Sequence, residues 1–487
     1  MNALRFYVND HLVEESAVSP TTTLLYYLRE KLGLFATKEG CNEGDCGACT
    51  VAIVDAKAPG GPKFRAINSC LVLLPMVQGK RVYTAEGLAT GDDLHEVQKR
   101  LAEGFGSQCG YCTPGVVMSM FEAAYREDLD EDWKLDDQMC GNLCRCTGYK
   151  PIYDATREVA GTRPEGRFRD VLEKAEASPM TLTYEHGAQR YFTPDSFEAL
   201  WDVLEDHPTA RLVSGGTDLS LEVSKQFKIL PLLVSVEGLD ALRRLAVDGD
   251  TLFIGATARL ADVEDVTAER WQPIHRMLRF FGARQIKNRA TIGGNLCTAS
   301  PIGDMGPILV ALGATAHLGS REGSRSMSVQ DFLVGYRQTA LQPGEILTHV
   351  TVPAIPATAR CVAYKVSKRQ ELDISAVSAG LYVELDEANT VTLARLSFGG
   401  LSARPATRAA QAERALVGAQ WTLESVERAA QSLKEDFNPI SDHRGSSWYR
   451  SMVASNLLRG FFHETASGAV PALPYRPTAT VNSFAGR

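Results

Sequence analysis

No apolar run in these 487 residues is long enough to span a bilayer, and no block of lysine or arginine interrupts a chain of formal net charge −8. The first absence argues against an integral membrane protein. The second argues against nucleic acid or an anionic membrane as the main partner. The segment Met1–Asn9 alternates like a strand and has no basic stretch leading into an apolar one. No secretory signal is therefore expected, and the cytoplasm is the expected location. The pattern G-x-G-x-x-G is missing, so a Rossmann dinucleotide site has no support. No repeat of solenoid period occurs. What the chain does have is 11 cysteines, eight of them in short-spaced groups before residue 147. In a reducing compartment, grouped thiols read as metal ligands rather than disulfides.

The length allows about three domains at roughly 150 residues each. Residues 1–85 read as β-rich, with strands over Leu4–Val8, Thr50–Val54 and Arg65–Leu74 and one helix over Thr22–Leu32. Residues 86–160 read as helical. Thr113 can cap a helix that has Pro114 in its first turn, and Pro151 plays the same part further on. Between these helices the acidic run 127–137 reads as a solvated loop. Residues 161–180 are charged, lack a period and read as a linker. Over 181–357 strands alternate with helices and glycine-rich turns. Over 358–465 three strands (Cys361–Ser367, Ile374–Leu385, Val391–Phe398) precede three helices (Ala406–Leu416, Leu423–Leu433, Ser447–Phe462). Residues 466–487, rich in Ala, Pro and Thr, read as a tail.

Cys41, Cys46, Cys49 and Cys70 are spaced C-x4-C-x2-C plus a distant fourth, the plant-type [2Fe–2S] pattern. Two ferric ions bridged by two sulfides need two pairs of thiolates and favour backbone N–H donors around an anionic centre. A zinc site would favour a C-x2-C knuckle in each half, and only one half has it. The β-rich surroundings fit a β-grasp ferredoxin-like domain. Cys109 and Cys112 form C-x2-C, and Cys144 and Cys146 form C-x-C. Each pair is followed by threonine and a helix start, where the helix dipole favours an anionic cluster. Spacing alone excludes zinc less firmly here; the neighbouring plant-type group favours a second [2Fe–2S] centre and a tandem electron relay. Cys140, Cys297 and Cys361 read as ordinary buried or inert cysteines, because four thiolates already complete the second site.

Further on, a strand over Ala210–Val213 runs into Ser214-Gly215-Gly216-Thr217-Asp218 and a helix, a turn that can present backbone N–H groups to a pyrophosphate. A second such turn is Thr291-Ile292-Gly293-Gly294-Asn295-Leu296, followed by Ala299–Asp304. One Gly-Gly turn is weak evidence; two within one α/β region are better.

The segments Cys109–Gly115 and Gly141–Tyr149 resemble the helical iron–sulfur domain of the molybdenum hydroxylases, the family of xanthine dehydrogenase, aldehyde oxidase and the CO dehydrogenases. Glu39–Thr50 resembles the companion ferredoxin-like domain. The resemblance runs from residue 1 to about 465. It implies an α+β multidomain chain with a β-grasp ferredoxin-like domain, a helical [2Fe–2S] domain, a two-part α+β FAD-binding domain of non-Rossmann type and a C-terminal α+β domain. It implies two [2Fe–2S] clusters and FAD, with the second cluster nearest the molybdopterin of a catalytic partner and Gln108 and Cys146 facing it. Leu212, Val213, Ser214, Gly215, Gly216, Thr217, Asp218 and Leu219 would form the pyrophosphate loop. Phe281 would pack on the isoalloxazine, Thr291 and Asp304 would hold the ribose and phosphate side, and Leu347 and Lys365 would complete the site. From the residues alone, Phe281 reads as core and Lys365 as surface.

Phe332–Thr339 resembles the loop where NAD⁺ nears the flavin, which implies that Tyr336 stacks on the nicotinamide or caps the cleft. Ser367–Ile374 resembles the small iron–sulfur/FAD subunit of bacterial xanthine dehydrogenases, with Leu372 where animal enzymes carry an acidic residue. With only 22 residues after 465, the resemblance implies that molybdopterin sits on a separate large subunit, in a heterotetramer of two small and two large chains. The expected role is electron transfer from that subunit to FAD and NAD⁺ in xanthine oxidation. Its alternatives are the same role for an aldehyde or N-heterocycle hydroxylase, a flavin oxidase using oxygen, and a zinc-bound scaffold.

Overall fold

The computed structural model of the protein describes residues 3–178, 180–370 and 372–466. The expected tail lies almost wholly outside them. The architecture is α+β and multidomain, as the family resemblance implies.

The first unit is a five-stranded sheet in the order His11–Glu15, Leu4–Val8, Arg81–Tyr83, Thr50–Asp55, Lys63–Asn68. Leu4–Val8 pairs with Arg81–Tyr83 in parallel and the other neighbours are antiparallel. Its helix starts where Thr23 Oγ1 accepts from the Tyr26 N–H at 3.2 Å, and winds on into a wider turn over Tyr27–Lys31. The strand expected over Arg65–Leu74 stops at Asn68. There the Ser69 hydroxyl and N–H both turn back onto the Cys49 carbonyl, at 2.7 and 3.3 Å, and this turn carries Cys70 to Cys49.

The second unit packs four helices, Glu96–Glu103, Thr113–Ala124, Asp132–Met139 and Lys150–Val159. Thr113–Ala124 is its axis, buried from Gly115 to Ala124. Cys112 rather than Thr113 occupies the capping position; the Thr113 hydroxyl instead meets the Ser107 hydroxyl at 2.6 Å. The acidic run 127–137 is not wholly a solvated loop, because its second half is helical and Asp137 is buried. Within 161–180, where no period is legible, Arg167–Glu173 forms a helix. It buries Phe168 edge-on against Tyr83 and Phe121, at 5.2 and 4.9 Å between ring centroids.

The region 181–357, expected to bind flavin, holds a two-stranded hairpin, Leu333–Gly335 with Gln338–Thr339, and two larger sheets. One runs Leu182–His186, Gln189–Thr193, Leu232–Ser235, Arg211–Val213, the last three parallel; the other is a five-stranded antiparallel sheet built on Ile346–Pro353. The C-terminal unit is an antiparallel four-stranded sheet over Ala359–Val366, Val377–Leu385, Val391–Gly399 and Thr407–Arg408. Three helices, Ala410–Leu416, Leu423–Asp436 and Ser447–Thr465, cover one face with a core that includes Leu381, Leu396, Val426 and Leu458. Among the described residues no helix is long and apolar enough to cross a membrane.

Candidate functional site

The eight grouped cysteines meet as pairs. Cys49 Sγ lies 3.3 Å from Cys70 Sγ in a buried setting. Cys41 and Cys46 share a second thiol–thiol bond. Cys41 is pulled down to about 5, chiefly by the bond from Cys46, while that same bond pushes Cys46 up. The N–H groups of Glu43, Asp45 and Cys46 all point at Cys41 Sγ, at 3.3–3.4 Å. In the helical unit the pairs cross between the two motifs, Cys109 with Cys146 and Cys112 with Cys144. Burial works against the Cys144 thiolate, yet the Thr147 hydroxyl at 3.3 Å and the backbone N–H groups outweigh it and bring the thiol down to about 7. Burial and the Cys144 bond push Cys112 up to about 12. Among the described residues no group of three or more His, Cys, Asp or Glu is placed to hold a single metal ion. Two thiols per pair, two pairs per loop set, is the arrangement that a two-iron core requires.

The two loop sets touch. The Leu143 N–H, next to Cys144, donates to the Cys46 carbonyl at 3.0 Å. Gly47 permits this approach: a Cβ there would lie 2.1 Å from the Gly141 carbonyl oxygen, and its φ is +71°. On its other side the first loop set leans on the flavin region. Asn42 Nδ2 donates to the Ser224 carbonyl and Lys225 Nζ to the Cys41 carbonyl, both at 3.2 Å. Ile286 packs into the cluster formed by Cys49, Cys70, Leu25 and Leu71. Cys109 and Cys146, by contrast, are exposed, as are Phe105 and Tyr111 nearby.

The two Gly-Gly turns line one cleft of about 400 Å³. Leu212–Leu219 forms one side, and Ala290, Thr291, Gly294, Cys297 and Thr298 the other. Thr291 Oγ1 caps the helix Ile292–Thr298 by accepting from the Gly294 N–H at 3.1 Å. Gly216 takes φ +79°, open to glycine and strained for other residues. The hairpin of Leu333–Gly335 and Gln338–Thr339 closes over the cleft; Arg337 at its tip reaches Asp218 at 3.3 Å.

Four family models cover most of the chain. The "2Fe-2S iron-sulfur cluster binding domain" matches residues 6–74, the "[2Fe-2S] binding domain" 84–157, the "FAD binding domain in molybdopterin dehydrogenase" 184–355 and the "CO dehydrogenase flavoprotein C-terminal domain" 362–465. The chain is 34% identical to xanthine dehydrogenase of Emericella nidulans over 96% of its own length and 39% of the relative's. It is 32% identical to rat xanthine dehydrogenase/oxidase over 91% and 37%. The chain belongs to the molybdenum hydroxylase family. Within that family it carries two 2Fe–2S domains and an FAD-binding domain, and it spans about two-fifths of the length of these relatives. Among solved structures, a quinoline 2-oxidoreductase chain from Pseudomonas putida 86 aligns with TM-score 0.53 and 27% identity, over 59% of this chain and 99% of its own. A carbon monoxide dehydrogenase chain from Hydrogenophaga pseudoflava shares the fold, at TM-score 0.55 and 23% identity, over 58% and 99%.

The residues present fit the cofactors of such a family. Backbone N–H groups converge on Cys41 as an anionic cluster requires, and in the cleft Ser214 Oγ is buried with no hydrogen-bond partner among the described residues. The expected flavin contacts divide into two places. Leu212–Leu219 and Thr291 line the cleft. Phe281, Asp304 and Lys365 gather elsewhere: Lys365 Nζ bonds Asp304 at 2.9 Å and lies 6.0 Å from the Phe281 ring centre. Lys365 is therefore not at the surface, as its residue type suggests, but is buried in an ion pair, and Ser375 Oγ donates to the other Asp304 oxygen at 2.6 Å. Leu347 lies in the core beneath the second sheet, 5% exposed. Tyr336, 63% exposed, stands at the hairpin tip.

Of the three remaining cysteines, Cys361 is buried and Cys140 donates to the Asp137 carbonyl at 3.3 Å. Cys297 departs from the expectation and opens onto the cleft. Sequence reasoning missed Arg337, and it missed the polar run Arg284–Arg289. That run plugs the junction of the first unit, the helical unit and the flavin region. Lys287, 0% exposed, bonds Asp137 at 2.7 Å and Glu264 at 2.7 and 2.9 Å. Gln285 Nε2 donates to Ser119 Oγ and Asn142 Oδ1, both at 3.0 Å, and Asn288 Nδ2 to the Ala66 carbonyl at 2.9 Å. The available signal was its place, only three residues after Phe281 and ending just before Thr291.

Proposed function

We propose that this chain is the electron-transfer subunit of a xanthine dehydrogenase, carrying electrons from a molybdopterin-bearing large subunit through two [2Fe–2S] clusters to FAD and then to NAD⁺. Cys41, Cys46, Cys49 and Cys70 hold one cluster and Cys109, Cys112, Cys144 and Cys146 the other. The glycine loop Leu212–Leu219, with Thr291, Phe281, Asp304, Leu347 and Lys365, holds FAD, and Tyr336 approaches the nicotinamide. Two small and two large chains would assemble in the cytoplasm.

The observation that carries this reading is contiguity. The exposed thiols Cys109 and Cys146 offer an entry, the Leu143–Cys46 hydrogen bond joins the two cysteine loops, and Asn42, Lys225 and Ile286 join the first loop to the flavin region. When bound, the clusters supply one-electron steps and the flavin converts them to hydride transfer. The protein's residues hold these groups in line and keep water from the buried pair Cys49/Cys70.

The test uses Cys112→Ser in the assembled enzyme. Xanthine-to-NAD⁺ turnover is lost, while NADH oxidation by an artificial acceptor, which needs only the flavin, is spared. A folded variant lacking that cluster that still couples xanthine to NAD⁺ at the normal rate refutes the relay. The likeness to a quinoline 2-oxidoreductase chain supports a second reading, the same relay serving an N-heterocycle hydroxylase. The substrate range of the co-purified large subunit decides between them.

A further inference from the structure

A cavity of about 520 Å³ lies between the first unit, the segment around Ala175 and the flavin region. Thr291 borders both this cavity and the glycine-loop cleft; the loop itself and Arg337 belong to the cleft alone. Arg289 forms the partition, with Nε 3.3 Å from the Gly215 carbonyl oxygen and its far edge 2.5 Å from Glu237.

The cavity wall carries more buried positive charge than negative. Asp55 faces three guanidinium groups, Arg65 at 3.1 Å, Arg243 at 2.5 Å and Arg259. Glu237 is shared by Lys80 at 2.8 Å and Arg289 at 2.5 Å. The remaining carboxylate, Asp262, sits behind the wall and is bound to Arg65 at 2.5 Å. On the inner wall four cations, Lys80, Arg243, Arg259 and Arg289, thus meet two carboxylates, Asp55 and Glu237; the Arg65–Asp262 pair behind it is neutral, so the excess is two positive charges. The rim charges sit in water, Lys57 with Asp240, Arg81 with Asp10, Lys174 with Asp170, and the exposed Glu176, where solvent screens them from this interior excess.

The titration of the group agrees in direction. Burial, aided by Arg289 and Arg243, lowers Lys80 to about 8 despite Glu237; burial and Arg289 lower Arg259 to about 10 despite Asp262. Burial acts against ionised Glu237, yet Arg289 and Lys80 hold it down at about 2. Acids and bases displaced downward together mark a site short of negative charge. Buried charge is normally matched, so the missing partner is a dianion. Tyr7, Ile53, Val171 and Met180 add apolar and aromatic surface to the lining, and the volume suits a small organic molecule.

We propose that this cavity binds a phosphate monoester with a nucleoside-sized organic body, its phosphate held by Arg243, Arg259 and Lys80 and its body lying against Tyr7 and Met180. The site lies across Arg289 from the cleft assigned to FAD, shares only Thr291 with that cleft, and needs no redox chemistry. Titration calorimetry on the full chain, purified with its cofactors, tests it with three probes: adenosine monophosphate, adenosine and inorganic phosphate. The monophosphate binds, phosphate binds more weakly, and adenosine gives no heat.

Arg243→Gln leaves Asp55 two guanidinium partners. It weakens monophosphate binding by about tenfold or more, the worth of one charge-assisted hydrogen bond. Ala175→Trp puts an indole into the cavity where the organic body would lie, without changing charge, and abolishes monophosphate binding; it decides the matter if Arg243→Gln does not fold. Arg337→Gln, in the cleft, leaves the affinity unchanged. The proposal falls if the monophosphate gives no heat at millimolar concentration, if adenosine binds equally well, or if affinity survives Ala175→Trp. It also falls if Arg337→Gln is the variant that weakens binding.

Discussion

Replacing Lys287 by methionine keeps the volume of the side chain and removes one charge from the centre of the molecule. Around it lie three buried carboxylates, Glu122, Asp137 and Glu264, and the buried Arg284, which stands 3.7 Å from both Glu122 and Glu264. With Lys287 gone, Asp137 and Glu264 each lose a contact of 2.7 Å. Breaking a buried pair by removing one partner costs about 3–5 kcal/mol, because the other charge stays behind. Global unfolding of a multidomain chain gives no single free energy, so the measurement must be local. The amides of Lys287, Asn288 and Ala290 donate to Ala283, Arg284 and Ile286 at 2.7–2.9 Å and report the opening of this segment by hydrogen exchange. A loss of about 3–5 kcal/mol accelerates their exchange roughly 10²- to 10⁴-fold.

The same variant has a pH signature. Glu264 is already held above its ordinary 4.5, by burial first and by neighbouring Asp137, against Lys287 and Arg284. A carboxyl whose pKa is raised on folding contributes stability that is complete below its unfolded value and lost as pH rises through its folded value. Removing Lys287 raises Glu264 further. The gap between variant and wild type therefore widens upward from about pH 4.5 and is larger at pH 8 than at pH 5. Adding Glu264→Gln neutralises one of the two stranded carboxylates and narrows that gap. Exchange in Lys287→Met within about threefold of wild type after correction for intrinsic rates, or a gap that does not change with pH, refutes the argument.

Two further outcomes test the site directly. Gly216→Asp puts a Cβ 2.8 Å from Met76 Cε at φ +79° and a carboxylate beside the proposed pyrophosphate; the purified chain loses its flavin absorbance and keeps its iron, and retention of FAD refutes the cleft assignment. Cys140→Ser exchanges a weak thiol donor to the Asp137 carbonyl for a hydroxyl donor, so both clusters persist in the EPR spectrum, and loss of either from folded protein reassigns the ligands.

The parts of this molecule legible in the sequence are those whose chemistry is local. Four thiolates serving one cluster must come from tight loops, so C-x4-C-x2-C, C-x2-C and C-x-C are visible as spacings, and the structure brings their sulfurs into pairs. A strand such as Leu4–Val8 shows its alternation, and a turn such as Gly215-Gly216 shows the backbone freedom it needs. The junction was hidden for the opposite reason. Asp137 stands in an acidic run and Lys287 in a basic, amide-rich one; each alone reads as a solvated surface. They are buried only because each meets the other across 150 positions of sequence, and no local pattern encodes a partner that far away. Arg65, in a strand of the first unit and matched to Asp262 of the flavin region, is hidden in the same way. An apolar seam would hold three units together and would have been easier to recognise, but it tolerates sliding. Directional bonds do not: Gln285 reaches Asn142, beside Cys144, and Asn288 reaches Ala66, in the strand that leads to Cys70. Both donors belong to the chain segment that joins Phe281 to Thr291. In the relay proposed here, the polar residues of that segment fix the orientation of both cysteine loops against the flavin region.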